Sequence, residues 1–196
     1  MERPILFSGG MVKAILDGRK SQTRRVIKPQ PKVVHAMYSD GSLETNCIFR
    51  SGDQRIHCPY GVPGDKLWVR EKWAKPEPGV MSREHDGSPV YAADYPPMTS
   101  LGIGRKWQPS IFMPRWASRI TLEIVSLRVE RVQEISEKDA GAEGIDLSEV
   151  LRRGIPVGER RPYANVYREL WDSINGKKHP WSSNPFVWVI EFKKEK

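Results

Sequence analysis

The sequence has little of several features that mark whole classes of protein. Cys47 and Cys58 are the only cysteines among 196 residues, too few for a disulfide framework. No apolar run approaches the roughly 20 residues that a membrane-spanning helix requires. The N-terminal residues, Met1 to Pro4, lead into a short apolar stretch without a small-residue cleavage site, so a secretory signal is not expected. These absences predict a cytoplasmic protein with no membrane partner.

Motifs for metals and nucleotide cofactors are also missing. The chain has four histidines, but the C-x-x-C and H-x-x-x-H spacings typical of zinc ligands do not occur. Gly102 and Gly104 lack the third glycine of a dinucleotide-binding loop. No metal and no cofactor are therefore predicted.

Positive charge is present in excess and is concentrated near the N-terminus. The formal net charge is +8, and residues 1–32 hold eight lysines and arginines against two acidic residues, a local net charge of +6. Such a segment favours an anionic partner such as phosphate, a nucleotide or nucleic acid, although a solvated basic face is the other interpretation. Tryptophans near basic residues suit either base stacking or core packing.

Hydrophobic periodicity predicts an α+β fold. Helices are expected after Ser8 (ending at Gly18), after Ser136 (ending at Gly144) and over 163–174. Strands are expected over 66–73, 119–132 and 186–193, the second with a bulge or a bend where the alternation changes phase at Ile124-Val125.

Two short constellations are candidates for chemistry. Lys20 lies three residues before Thr23 in a basic segment, where neighbouring arginines would lower the pKa of the lysine so that it could activate the threonine hydroxyl. Glu143 lies between Ala142 and Gly144, and its carboxylate could transfer a proton to a closely approaching ligand. Taken alone, each pattern is also typical of ordinary surface residues.

Four ordered blocks resemble the ASCH domain family, in particular its larger phage and prophage-type members. The blocks are GRKSQTRR at 18–25, YGVPGDKLWVRE at 60–71, KDAGAEGIDLSE at 138–149 and FVWVIEFK at 186–193. The resemblance implies a single domain over residues 1–196 with a PUA-like small β-barrel and flanking helices. Compared with small family members, insertions fall at about 30–58, 75–110 and 145–162.

The resemblance also implies a function. Small bacterial members are amidohydrolases that remove the acetyl group from N(4)-acetylcytidine, using a Lys, a Thr three residues later and a Glu in a helix after the central strands. The matching positions here are Lys20, Thr23 and Glu143.

We therefore predict an amidohydrolase acting on an acylated exocyclic amine of cytidine or a related nucleoside. Thr23 is expected to act as nucleophile, with Lys20 as its base and Glu143 as the group that protonates the leaving amine. Glu143 activating water directly, with Thr23 holding the oxyanion, is the alternative assignment. Arg25, Trp68 and Arg70 are expected to line or border the substrate pocket. The alternative functions are a non-catalytic RNA-binding module of PUA-like type and a phage accessory protein whose pocket is vestigial.

Overall fold

The computed structural model describes residues 1–38, 47–51, 54–75, 88–95, 106–154 and 160–195. The described segments form a mixed α+β fold, which confirms the predicted class. The strands are β1 (Glu2–Leu6), β2 (Gln22–Val26), β3 (His35–Tyr38), β4 (Cys47–Ser51), β5 (Gln54–Ile56), β6 (Lys66–Arg70), β7 (Trp73–Ala74), β8 (Val90–Tyr91), β9 (Thr121–Arg131) and β10 (Phe186–Lys194). The helices are α1 (Gly9–Leu16), α2 (Glu137–Ala142), α3 (Leu147–Arg152) and α4 (Pro162–Asn175).

The main sheet has five strands in the order β1-β6-β9-β10-β2. The β1 and β6 strands are parallel, and the other neighbours are antiparallel. Strands β3, β4 and β5 form a second sheet, and β7 pairs with β8.

Strand β10 separates two hydrophobic clusters because its side chains alternate between the two faces of the sheet. Trp188, Ile190 and Phe192 join an inner cluster that includes residues of α1, β1, β6 and β9. Val187 and Val189 join an outer cluster built mainly from α2, α3 and α4. The central sheet is therefore covered by α1 on one face and by the other helices on the opposite face.

The two edges of the main sheet approach each other without forming a backbone ladder in the described part of the chain. On β2, the Nη2 of Arg25 donates a hydrogen bond of 2.6 Å to the carbonyl oxygen of Leu6, at the end of β1. A side chain therefore connects the edges, and no closed barrel is formed by the described strands.

The predicted helices and the strands predicted over 119–132 and 186–193 are confirmed, whereas the strand predicted over 66–73 ends at Arg70, and Trp73 belongs to β7 in another sheet. The β9–β10 register shifts between Glu191 and Phe192, which face Ser126 and Ile124, so Val125 is the extra residue of the predicted bulge. The β1 strand and the α3 helix were not predicted.

His85, Gly102 and Gly104, with much of the proposed insertions, lie outside the described residues. Among the described residues, no helix is long and apolar enough to cross a membrane.

Candidate active site

Lys20 and Glu143 form a buried ion pair between two distant segments. Lys20 lies just before β2, Glu143 directly follows α2, and the two residues face each other in an isolated antiparallel bridge. The Lys20 Nζ is 2.8 Å from Glu143 Oε2, and it also donates to the Glu143 carbonyl at 2.8 Å and the Gln22 carbonyl at 2.7 Å. Each hydrogen of the ammonium group thus has an oxygen acceptor.

Gly144 allows the close contact between these segments. Its φ of +99° is a conformation that L side chains rarely adopt. A Cβ at this position would lie 3.1 Å from the Ala14 Cβ and 3.3 Å from the Lys20 Cβ. The glycine that ends the predicted helix is therefore also required for packing against Lys20.

Burial is the main cause of a lowered pKa at Lys20. Removal of the ammonium from water lowers the pKa, the Glu143 carboxylate opposes this effect, and the charges of Arg25 and Arg24 lower it further. The sequence predicts the same direction, but it attributes the effect to crowding by arginines. One of these, Arg19, instead pairs with Asp17 and Asp146.

Arg24 is a site residue that sequence reasoning missed. Its side chain is fully buried, and its guanidinium lies 3.5 Å from Glu143 Oε1, 2.9 Å from Glu130 Oε2 and 3.4 Å from Asp139 Oδ2. Glu143 is thus held between Lys20 on one oxygen and Arg24 on the other. The basic segment around Thr23 gives no sequence signal that would distinguish this buried arginine from exposed ones.

Thr23 and Glu143 both line one cavity of about 640 Å³. Thr23 is only 3% exposed, and in the described part of the chain its hydroxyl makes no hydrogen bond. One wall is formed by Leu6, Phe7 and Met11, at the junction of β1 and α1. The opposite wall is a face of α4 that presents Tyr167, Leu170, Trp171, Ile174 and Asn175.

Of the three predicted substrate-binding residues, the structure brings only Arg25 to this cavity. Its guanidinium stacks on the Phe7 ring at 5.1 Å and on the Tyr60 ring at 5.9 Å. Trp68 and Arg70 are not among the lining residues, because β1 lies between β6 and the cavity, which Leu6 of β1 lines. Arg70 stacks on Trp68 at 4.6 Å and donates to the Ile111 carbonyl instead.

The described residues contain no cluster of three or more His, Cys, Asp or Glu side chains placed to hold a metal ion. Comparisons of the chain with models of protein families, with curated proteins and with solved structures gave no match.

Proposed function

We propose that the protein is an amidohydrolase that removes an acyl group from the exocyclic amine of cytidine or a related nucleoside, of the N(4)-acetylcytidine type. The observation that carries this proposal is the contact between Lys20 and Glu143, which are 123 residues apart in the sequence. Thr23 and Glu143 face a common cavity, and Lys20 is bonded to Glu143. A nucleophile, a base and an acid are thereby within one site.

The proposal extends to the fold. A five-stranded, mainly antiparallel sheet whose edges approach at Arg25 and Leu6 is consistent with a PUA-like barrel of ASCH type. The cavity volume supports a small-molecule substrate, since ligand pockets usually measure roughly 300–1,000 Å³.

In the proposed mechanism, the ion pair first becomes neutral. A proton passes from Lys20 Nζ to Glu143 Oε2 along their 2.8 Å contact, which burial of the lysine favours. The neutral amine then accepts the Thr23 proton as Oγ1 attacks the acyl carbon. The contact between Thr23 and Lys20 must form when substrate binds, as catalytic hydrogen bonds often do.

The remaining steps return each group to its starting state. The protonated Glu143 donates to the exocyclic nitrogen as the C–N bond breaks, which releases cytidine and leaves an acyl ester on Thr23. Glu143 then takes a proton from water and the hydroxide attacks the ester carbon. As the ester C–O bond breaks and the carboxylic acid leaves, Glu143 gives its proton to Thr23 Oγ1, which restores the ion pair with Lys20. In the alternative assignment, Glu143 activates water for direct attack and Thr23 donates to the oxyanion.

The proposal is tested by incubating the protein with N(4)-acetylcytidine and following the ultraviolet spectrum as cytidine forms. We expect turnover by the wild type and a loss of at least about a hundredfold in Glu143→Gln. Mass spectrometry of the wild type, quenched in acid during turnover, separates the two assignments, because only the first predicts an acetyl group on Thr23. Absence of wild-type turnover contradicts the proposal.

A second candidate, an RNA-binding module, is favoured by one surface. Ile111, Phe112 and Trp116 are 58–69% exposed, and Ser110, next to them, lines the cavity. Exposed aromatic rings near Arg115 suit base stacking with phosphate contact. Salt-sensitive RNA binding without turnover of any acylated cytidine would favour this function over the first.

A further inference from the structure

One edge of β2 is turned away from its partner strand. The Ile27 N–H donates to the Phe186 carbonyl at 3.1 Å, and the Phe192 N–H donates to the Ser21 carbonyl at 2.8 Å. Because backbone groups alternate along an antiparallel strand, the N–H and C=O groups of Arg24 and Val26 point to the opposite edge.

This edge, which pairs with no strand in the described part of the chain, is called the free edge of β2. The Lys20 contact supports its assignment. The Gln22 carbonyl, two residues before Arg24, accepts a hydrogen bond from Lys20 Nζ and not from β10. Gln22, Arg24 and Val26 therefore direct their backbone groups to the side on which the Lys20–Glu143 pair lies.

The free edge of β2 is also the floor of the cavity. Every residue from Thr23 to Pro29 lines it. Since successive side chains of a strand point to opposite faces, a cavity on one face alone would contact only alternate residues. The cavity therefore extends around the edge, between the β1–α1 junction and α4.

Tyr167 adds a polar group to the α4 wall. It is 4% exposed, and no hydrogen bond of its hydroxyl is found among the described residues. Buried tyrosine hydroxyls usually have a partner. Burial and the Glu143 charge raise the pKa of the phenol, so it stays protonated and can donate.

We propose that the substrate binds to the free edge of β2 in the way that an added strand would bind there. The backbone groups of Arg24 and Val26 and the hydroxyl of Tyr167 form the hydrogen bonds. An acylated cytosine is planar and presents carbonyl oxygens and a ring nitrogen as acceptors, which the N–H groups and the phenol match. This inference rests on the proposed function and specifies which groups recognise the substrate.

Binding of N(4)-acetylcytidine to a Thr23→Ala protein, measured by isothermal titration calorimetry, tests the inference without turnover. Adding Tyr167→Phe removes the hydroxyl, and adding Val26→Pro removes one edge N–H in an edge strand that tolerates proline. Each change should raise Kd roughly fivefold to tenfold. The matched control, Tyr163→Phe on the same helix but outside the cavity lining, should leave Kd unchanged.

Unchanged Kd values in both test variants overturn the inference, and if Val26→Pro does not fold, Tyr167→Phe decides alone. Wild-type turnover accompanied by unchanged binding in the variants would leave the proposed function standing and remove only this inference. A wild type that neither binds nor hydrolyses N(4)-acetylcytidine would contradict both.

Discussion

The Lys20 side chain is completely buried, yet its charge is fully matched by neighbouring oxygens. Its ion pair with Glu143 has side-chain exposures of 0% and 3%. In such a setting, removal of one charge leaves the other without compensation, whereas removal of both can be nearly neutral. The two charges are therefore expected to be energetically coupled, so that each is tolerated in the interior only while the other is present.

A double-mutant cycle measures this coupling. Lys20→Met or Glu143→Met alone should lower the free energy of unfolding by about 3–5 kcal/mol, because each leaves a buried charge without its main partner. The double variant should lose clearly less than the sum of the two. Chemical denaturation of the four proteins provides the comparison, and strictly additive losses would show that the two charges are not coupled.

Cys58 provides a separate prediction for a single residue. Burial raises the pKa of its thiol from 9.0 to about 11. At pH 9 the thiolate fraction should therefore be roughly fiftyfold lower than for an unperturbed cysteine, and alkylation should slow accordingly. Mass spectrometry of the Cys58 peptide after iodoacetamide treatment measures this rate. A native rate equal to that in denaturant would contradict the assigned burial.

At the scale of elements, the glycines of the α2 region have different roles although they are three residues apart. Gly144 has a positive φ and close neighbours, whereas a Cβ at Gly141 would meet nothing within 4 Å. The connection between α2 and β2 therefore depends on Gly144 in particular.

Substitution of each glycine by alanine tests this difference. Gly144→Ala should lower the free energy of unfolding by about 1–3 kcal/mol and displace Glu143 from Lys20, because both the backbone and the packing oppose a Cβ. Gly141→Ala should be neutral or stabilise by up to about 1 kcal/mol, because it removes a glycine from a helix. Thermal unfolding and turnover of both proteins are measured, and equal effects would contradict the packing described here.

The elements with strong periodicity could be predicted from sequence, and those with weak periodicity could not. Helix α4 and strand β10 show clear apolar patterns. In β9, the change of phase in the alternation near Val125 indicates the bulge. The β1 strand has one buried residue among five, so alternation is not visible. Helix α3 is short, and its strongest local signal is Asp146. The side chain of Asp146 caps the helix by accepting a hydrogen bond from the Glu149 N–H.

The candidate site follows the same rule. The local sequence makes Lys20, Thr23 and Glu143 separate candidates, and only the family resemblance groups them in one site. Three-dimensional proximity between distant segments is invisible in one sequence. Tyr167 falls on the apolar face of α4 and is indistinguishable there from a core residue. Arg24 is hidden among other basic residues.

At the scale of the molecule, part of the N-terminal positive charge is neutralised internally. Lys20 and Arg24 pair with Glu143, and Arg24 also pairs with Glu130 and Asp139. These cations are not free to contact phosphates. The concentration of charge that suggested an anionic partner is therefore partly a feature of the buried site.

Salt dependence distinguishes the two candidate functions. An amidohydrolase for a neutral nucleoside should change its kcat/KM by less than about twofold between 50 and 500 mM salt, since no phosphate contact releases counterions. An RNA-binding module should lose affinity steeply over the same range. Steady-state kinetics and RNA binding are measured in parallel, with unstructured RNA as the probe.

The most direct test of the central claim, that Lys20, Thr23 and Glu143 form one amidohydrolase centre, is the rate of cytidine formation from N(4)-acetylcytidine by wild type and Thr23→Val. Valine is close to threonine in size but lacks the hydroxyl, so the fold should be retained and circular dichroism should be unchanged. The account predicts turnover by the wild type and a loss of at least about a hundredfold in the variant. Equal rates in the two proteins, or no turnover by the wild type, would contradict it.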